Sequence, residues 1–194
     1  MQGPVYLECV RIAPFKPRGT DVSVIMDLMI HDLDFVLSLV DSELEGVEAI
    51  GAPVASPFDD IANARLRFRN GCVASITASR ISMRTERKMR LFSQEGYMAV
   101  DFAARKLMMI GRGVGTESPG MEVPGMPGVR REQITGEPHD ALAAEHDAFA
   151  ASVLDGAPVL VDAAAGRRAL DAALMVMAEM EQARGKAQQG GLIR

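Results

Sequence analysis

The sequence has few cysteines and no long apolar run, and each shortage excludes a class of protein. The two cysteines, Cys9 and Cys72, stand far apart without a CxxC spacing, which excludes the usual zinc and dithiol redox motifs. We expect both to be buried free thiols. No apolar run approaches the roughly 20 residues of a membrane helix, and the opening MQGPVYLECV lacks the regions of a signal peptide. We therefore predict a cytoplasmic protein with no membrane association.

Positive charge is also scarce. The chain has 21 Lys and Arg against 26 Asp and Glu, and its formal net charge at pH 7 is −5. Nonspecific nucleic-acid binding depends on a basic surface that neutralises phosphates, so nucleic acid is not an expected partner. A length of 194 residues with 48% hydrophobic composition is typical of one globular domain, and we predict a single domain over 1–194.

The first part of the chain is predicted to be a strand followed by a helix. An alternating apolar pattern over residues 4–13 predicts the strand, and Asp21 or Ser23 is suited to cap the helix. From 24 to 40 apolar residues recur at helical spacing, with no Gly or Pro among them.

The middle of the chain is predicted to be a run of antiparallel strands. Between 45 and 111 the hydrophobic period changes to that of strands. The dipeptide Asn70-Gly71 predicts a tight hairpin turn in which both residues have positive φ.

The last third of the chain is predicted to be a loop and two helices. Residues 111–128 are rich in Gly and Pro, which predicts a mobile loop. Alanine-rich segments over 138–154 and 162–184 predict two helices, and 185–194 is expected to be a frayed tail.

This order of elements predicts an α+β fold, with an open, mainly antiparallel sheet and helices packed on one face. The other face must meet solvent or a second copy of the chain. Because its strands alternate apolar and polar residues, we predict a homo-oligomer formed through that sheet face.

The densest group of polar side chains lies inside the apolar helix. Asp27, His31 and Asp34 are spaced i, i+4 and i+7, which places them along one stripe. An imidazole titrates near neutral pH, and a carboxylate one turn away is placed to interact with it, as general acid/base chemistry requires.

Two other interpretations of this stripe stay open from spacing alone. The histidine can be a structural residue, with Asp32 and Asp34 forming only a solvated helix face. His and carboxylates one turn apart can also chelate a divalent ion, although no third and fourth ligand is evident and we assign no metal site. His139 and His146 are interpreted as surface residues of the later helix.

The segment DVSVIMDLMIHDLDFVLSLV resembles the Gfo/Idh/MocA family of NAD(P)-dependent oxidoreductases. A helix of that family's C-terminal domain carries a D-x-x-x-H-x-x-D motif, here DLMIHDLD over residues 27–34. The opening strand, the strand-rich middle and the closing AEHDAFAASVLDGAPVLVDAAAGRRALDAAL agree with that domain in order and spacing.

The resemblance implies an activity and roles for individual residues. His31 is expected to act on a substrate hydroxyl while a hydride passes to the nicotinamide, and Asp27 is expected to assist it and contact the substrate. Phe15, Arg18 and Asp34 are expected to be further substrate contacts. The substrate class is a sugar or nucleotide sugar, with UDP-N-acetylglucosamine oxidised at C3 as the first candidate.

The sequence departs from the family at the cofactor site. It contains neither the glycine-rich fingerprint of a Rossmann domain nor the family's E-K-P motif with its lysine. We therefore expect no cofactor-binding residues in this chain, NAD or NADP only in a complete enzyme with a Rossmann domain, and no activity from the chain alone. The alternative is a non-catalytic, oligomerising ligand-binding module of the same fold.

Overall fold

The computed structural model describes residues 3–17, 19–112 and 120–192, which form one large sheet with helices against it. The strands are β1 (Tyr6–Ile12), β2 (Leu44–Ala52), β3 (Ile61–Phe68), β4 (Val73–Ser79), β5 (Glu86–Phe92), β6 (Gly96–Asp101), β7 (Lys106–Gly111), β8 (Met121–Glu122) and β9 (Arg130–Thr135). The helical elements are a π-turn (Ile25–Met29), α1 (Ile30–Leu39), α2 (Ala141–Asp155) and α3 (Ala163–Gln189).

The nine strands lie in the order β2-β3-β4-β1-β5-β6-β7-β9-β8. Every neighbouring pair is antiparallel except β1 and β4, which run parallel. The π-turn, α1 and α3 pack together on the β2–β3–β4–β1 part of the sheet. The α+β prediction of an open, mainly antiparallel sheet with helices on one face is confirmed.

Alternation along β3 shows why the sheet has one buried face. Ala62, Ala64, Leu66 and Phe68 are buried, whereas the residues between them are exposed. The buried series belongs to the same core as α3, which packs on the neighbouring strand β2 and on α1. The buried residues of α3 are Ala169, Ala172, Ala173, Val176 and Met180. Small residues on both sides let the helix approach the sheet closely, and burial of this apolar surface is the main stabilising term.

The hairpin between β3 and β4 forms at the predicted dipeptide but with a different turn. Only Gly71 has positive φ (+87°), and its amide donates to the Phe68 carbonyl (2.9 Å). Asn70 instead accepts the amide of Cys72 through Oδ1 at 3.0 Å. The side chain of Asn70 satisfies that amide locally, so a second positive-φ residue is not needed.

The segment after β7 is more regular than the sequence predicts. Gly111 ends β7, and Met121–Glu122 forms β8 against β9, so the predicted loop over 111–128 is wrong at both of these places. Residues 113–119 of that loop lie outside the described residues. Strand β9 was missed because its charged sequence RREQIT, beside the two-residue edge strand β8, carries almost no apolar alternation.

The two C-terminal helices form near their predicted bounds. Asp140 accepts the amides of Leu142 and Ala143 and caps α2, and Asp162 accepts the amide of Ala165 and caps α3. Helix α3 continues through Gln189, so the prediction of a frayed tail from residue 185 is wrong over its first part. Helix α2 has no buried residue, and its apolar side chains are exposed.

The face of the sheet opposite α1 and α3 is partly apolar. Tyr6, Phe92 and Tyr97 are cross-strand neighbours there, with ring centroids 5.8 and 5.0 Å apart. The next row holds the ion pair between Glu8 and Arg90, at 2.9 Å. We call this surface of β1, β5 and β6 the open face.

A buried ion pair joins two loops at one end of the sheet. Arg80, just after β4, donates through Nε to Asp60 Oδ1 at 2.7 Å, and both side chains are almost fully buried. The amides of Val54, Ala55 and Ser56 donate to Asp60 Oδ2 at 2.6 to 2.9 Å. Burial alone raises the pKa of Asp60, but the guanidinium and these amides outweigh it and hold the pKa well below its usual range.

Both cysteines are buried free thiols in the structure, as expected. Within the described ranges, no helix is long and apolar enough to span a membrane.

We predict that Asp60→Asn lowers the free energy of unfolding by about 3–5 kcal/mol at neutral pH, because it leaves the guanidinium of Arg80 buried without a counter-charge. The folded-state pKa of Asp60 lies below its unfolded value, so its contribution is present at neutral pH and is lost as pH falls below about 4. Urea titrations from pH 7 to pH 3 should therefore show a shallower acid loss in the variant.

The matched control is Asp59→Asn, whose carboxylate pairs with the partly exposed Arg184. We expect that change to cost less than about 1 kcal/mol. Equal stability of Asp60→Asn and the wild type at pH 7 would contradict the assigned role of the ion pair.

Candidate active site

The helix that carries the D-x-x-x-H-x-x-D motif begins with a π-turn. The amide of Ile30 donates to the carbonyl of Ile25, an i to i+5 bond. Ser23 caps this start, because its Oγ accepts the amide of Ile25 at 3.1 Å and its carbonyl accepts the amides of Met26 and Asp27. The π-turn contains Asp27, and α1 continues with the rest of the motif. Such turns recur at functional sites.

The structure leaves the principal motif side chains accessible. His31 is exposed, and Asp27 and Asp34 are half-buried. Among the described residues, no hydrogen bond or ion pair joins His31 to Asp27, and neither side chain has another such partner. The predicted carboxylate–imidazole contact is therefore not made within the chain. Within the described part of the chain, neither group is committed to another residue, so both are accessible to a ligand.

Asp32 differs from its neighbours in the motif. Its side chain is buried and accepts two hydrogen bonds from Arg11 of β1, Nε at 2.7 Å and a terminal nitrogen at 2.9 Å. The interpretation of Asp32 as part of a solvated helix face is wrong. The bidentate pair fixes the rotation of α1 against β1 and thereby turns the adjacent His31 outward. The signal in the sequence was Arg11, a charged residue inside an apolar strand.

The buried thiols are not nucleophiles at this site. Burial, followed by the nearby carboxylate of Asp32, raises the pKa of Cys9 to about 12. Burial likewise raises the pKa of Cys72. A thiolate is the reactive form of cysteine, so both side chains are inert near neutral pH.

The loop between β1 and the π-turn lies against Asp27. Gly19 has φ of +70°, and a methyl group on its Cα would lie 3.4 Å from both carboxylate oxygens of Asp27. Phe15, in the same loop, is 42% exposed. The structure thus brings this loop and Asp27 together. The predicted contact Arg18 lies outside the described residues.

The remaining histidines and acidic residues form no second site in the described part of the chain. His139 and His146 are exposed, the latter on α2. The described ranges contain no group of three or more His, Cys, Asp and Glu arranged to hold a metal ion.

Comparison with protein families gives a match at the residues that build this site. The family model described as the GFO/IDH/MocA C-terminal domain matches residues 14–99, which include the loop, the motif and strands β2 to β5.

Individual relatives extend the match to nearly the whole chain. The UDP-N-acetylglucosamine 3-dehydrogenase of Acidithiobacillus ferrooxidans is 46% identical over 178 residues, which are 92% of this chain and 55% of that enzyme. A solved structure of that enzyme superposes with a TM-score of 0.81 at 45% identity, covering 93% of this chain and 56% of its own. The chain thus spans about half the length of this relative.

More distant structures share the fold alone. Levoglucosan dehydrogenase in complex with NADH and L-sorbose has a TM-score of 0.72 at 15% identity, covering 93% of this chain and 57% of its own. The matched family model, the relative that is nearly half identical and the common sheet lead to one conclusion: the chain belongs to the GFO/IDH/MocA family and carries its C-terminal domain.

Proposed function

We propose that this chain is the substrate-binding domain of an NAD(P)-dependent oxidoreductase that oxidises a hydroxyl of a nucleotide sugar. UDP-N-acetylglucosamine, oxidised at C3, is the first candidate substrate. The observation that carries the proposal is the accessible pair Asp27 and His31, which have no partner within the described chain and stand on one stripe of the motif helix. The 46% identity to a UDP-N-acetylglucosamine 3-dehydrogenase supports the choice of substrate.

The chemistry assigns a proton-transfer role to His31. Oxidation of a secondary alcohol to a ketone removes a hydride from carbon and a proton from oxygen. The imidazole of His31 accepts the hydroxyl proton as the hydride leaves, and the carboxylate of Asp27, one helical turn away, binds and orients the substrate. Asp34, Phe15 and Arg18 are proposed as further substrate contacts.

The hydride acceptor belongs to a different part of the enzyme. NAD or NADP supplies that acceptor when it is bound by a Rossmann domain. In this chain the connection between the parallel strands β1 and β4 contains the motif helix and strands β2 and β3, and the loop after β1 contains Gly19 as its one glycine. That loop does not fit a pyrophosphate, which requires a glycine-rich turn at a helix N-terminus.

We predict that His31→Ala in the complete enzyme lowers kcat for the nucleotide sugar by about 100-fold or more, because the hydroxyl proton loses its acceptor. The KM for the nicotinamide cofactor should change little. Steady-state kinetics by NADH absorbance measure both values. His146→Ala removes an exposed histidine of α2 and is the matched control, with wild-type rates expected. Activity largely retained in His31→Ala would refute the catalytic role of His31.

We predict that the 194-residue chain alone binds neither NADH nor NADPH. The fluorescence of NADH or NADPH should equal that of the free cofactor, with or without UDP-N-acetylglucosamine, because the described part of the chain has no glycine-rich turn at a helix N-terminus to hold the pyrophosphate. Saturable binding would contradict the assignment of the cofactor site to a separate domain.

We further propose that the open face pairs with a second copy of the chain. Its aromatic row of Tyr6, Phe92 and Tyr97 is bordered by the ion pair of Glu8 and Arg90. Phe92 is still 39% exposed in the single chain, although it lies on an inner strand. Apolar surface with a polar rim is typical of a subunit interface.

We predict that Phe92→Glu converts the oligomer to a monomer, because a carboxylate in the aromatic row would be desolvated without a partner. Sedimentation velocity measures the change in mass. Met83→Glu, at a 98% exposed position between β4 and β5, serves as the control and should leave the mass unchanged. A wild-type chain that is monomeric at all concentrations would refute the interface.

A further inference from the structure

The middle of the loop between β1 and the π-turn has one hydrogen-bonded anchor among its described residues, whereas the ends of the loop are held by the backbone bonds of Ala13 and Val24. Among its described residues, 14–17 and 19–22, a single hydrogen bond reaches the rest of the domain: a terminal nitrogen of Arg80 donates to the carbonyl of Gly19 at 2.6 Å. The loop contains the proposed substrate contact Phe15, and Gly19 packs on the carboxylate of Asp27. Among the described residues, Arg80 is thus the one hydrogen-bond donor that holds the middle of this loop near the motif.

That donor is itself rigidly held. Arg80 is 4% exposed and uses all three nitrogens of its guanidinium: Nε binds Asp60, one terminal nitrogen binds Gly19, and the other donates to Ser56 Oγ at 3.0 Å. Its backbone amide also donates to the Asp60 carbonyl at 2.9 Å. Because the guanidinium is planar, its bonds to Asp60 and Ser56 fix its orientation. The remaining terminal nitrogen then points at the Gly19 carbonyl.

The same loop of residues 53–60 also positions the start of the motif helix. The carbonyl of Asp59 accepts the amide of Val24 at 2.9 Å, and the side chain of Asp59 pairs with Arg184 of α3 at 2.6 Å. Arg80 thus connects two parts of the site. It binds Asp60, whose neighbour Asp59 holds the start of the motif helix, and it binds Gly19 in the loop of residues 14–22.

We propose that Arg80 is a positioning residue for nucleotide-sugar binding, holding the loop of residues 14–22 against Asp27 through the Gly19 carbonyl. This inference rests on the proposed function. Arg80 is too deeply buried to meet the substrate, so it acts through the loop and not by contact. A preorganised loop spares the ordering cost that a free loop would incur on binding.

The direct test is Arg80→Lys in the complete enzyme. A lysine keeps the charge beside Asp60, but one ammonium on a flexible stem cannot reproduce three bonds in a fixed fork, so the Gly19 anchor is lost. We expect the KM for UDP-N-acetylglucosamine to rise about tenfold, a loss of about 1.4 kcal/mol in binding. The KM for the cofactor should stay within about twofold of the wild-type value. Loss of a binding contact corresponds to a change of about tenfold in KM, so a change within twofold indicates that no contact with the cofactor is lost.

Arg184→Lys is the matched control. It weakens an arginine–carboxylate pair at the same loop of residues 53–60, and Arg184 has no hydrogen bond or ion pair with the described residues of the 14–22 loop. We expect its KM for both substrates to equal that of the wild type. An equal rise in KM in both lysine variants would mean general loosening of the 53–60 loop and would overturn the proposal.

A second variant approaches the same contact from the loop. Gly19→Ala places a methyl group against Asp27 at a positive φ, so it displaces the loop while Arg80 is intact. We expect it to raise the KM for the nucleotide sugar at least as much as Arg80→Lys, which keeps the test valid if Arg80→Lys does not fold.

The two proposals fail in different measurements. A wild-type enzyme that does not oxidise any nucleotide sugar refutes the proposed function. An active wild type whose nucleotide-sugar KM is unchanged in Gly19→Ala and in folded Arg80→Lys refutes the positioning role alone.

Discussion

The buried ion pair between Asp60 and Arg80 is the constraint on which the site depends. Neither charge can be left without its partner in the interior, so the loop of residues 53–60 and the end of β4 must meet in one geometry whenever the chain is folded. The amides of that loop surround Asp60, and the remaining N–H groups of Arg80 bind Ser56 and Gly19. The pairing of Asp60 with Arg80 therefore helps to fix the positions of both the loop of residues 14–22 and the motif helix.

A second buried pair determines which way the motif faces. Asp32 and His31 are adjacent on α1, and successive helical residues point in directions about 100° apart. The two hydrogen bonds from Arg11 hold Asp32 inward against β1. His31 is consequently turned toward solvent with no partner in the described chain. A structural carboxylate and a reactive imidazole thus share one motif, and the first orients the second.

Local periodicity could predict the strands from β1 to β7, the motif helix and the stripe of Asp27, His31 and Asp34, because those features depend on near neighbours in sequence. The ion pairs could not be predicted, since Asp60 and Arg80 come together only once β3 and β4 have paired. Strand β9 was missed for a different reason: its residues bury little surface, so they carry no apolar alternation. The π-turn has no sequence signature that distinguishes it from an ordinary first turn.

The polar side chains in and near the motif fall into two groups, those that stabilise the fold and those that are accessible to a ligand. Asp32 and Asp60 have their hydrogen-bonding capacity satisfied by buried arginines and amides, and they contribute rigidity. Asp27 and His31 have no such partner among the described residues, so their interactions are available to a ligand. When accessible polar groups stand on a rigid support, little of the binding free energy is lost in ordering the protein around the substrate. For that reason the proposed proton acceptor, His31, is exposed and Asp27 is half-buried, whereas the charges of Asp32 and Asp60 are buried in the interior.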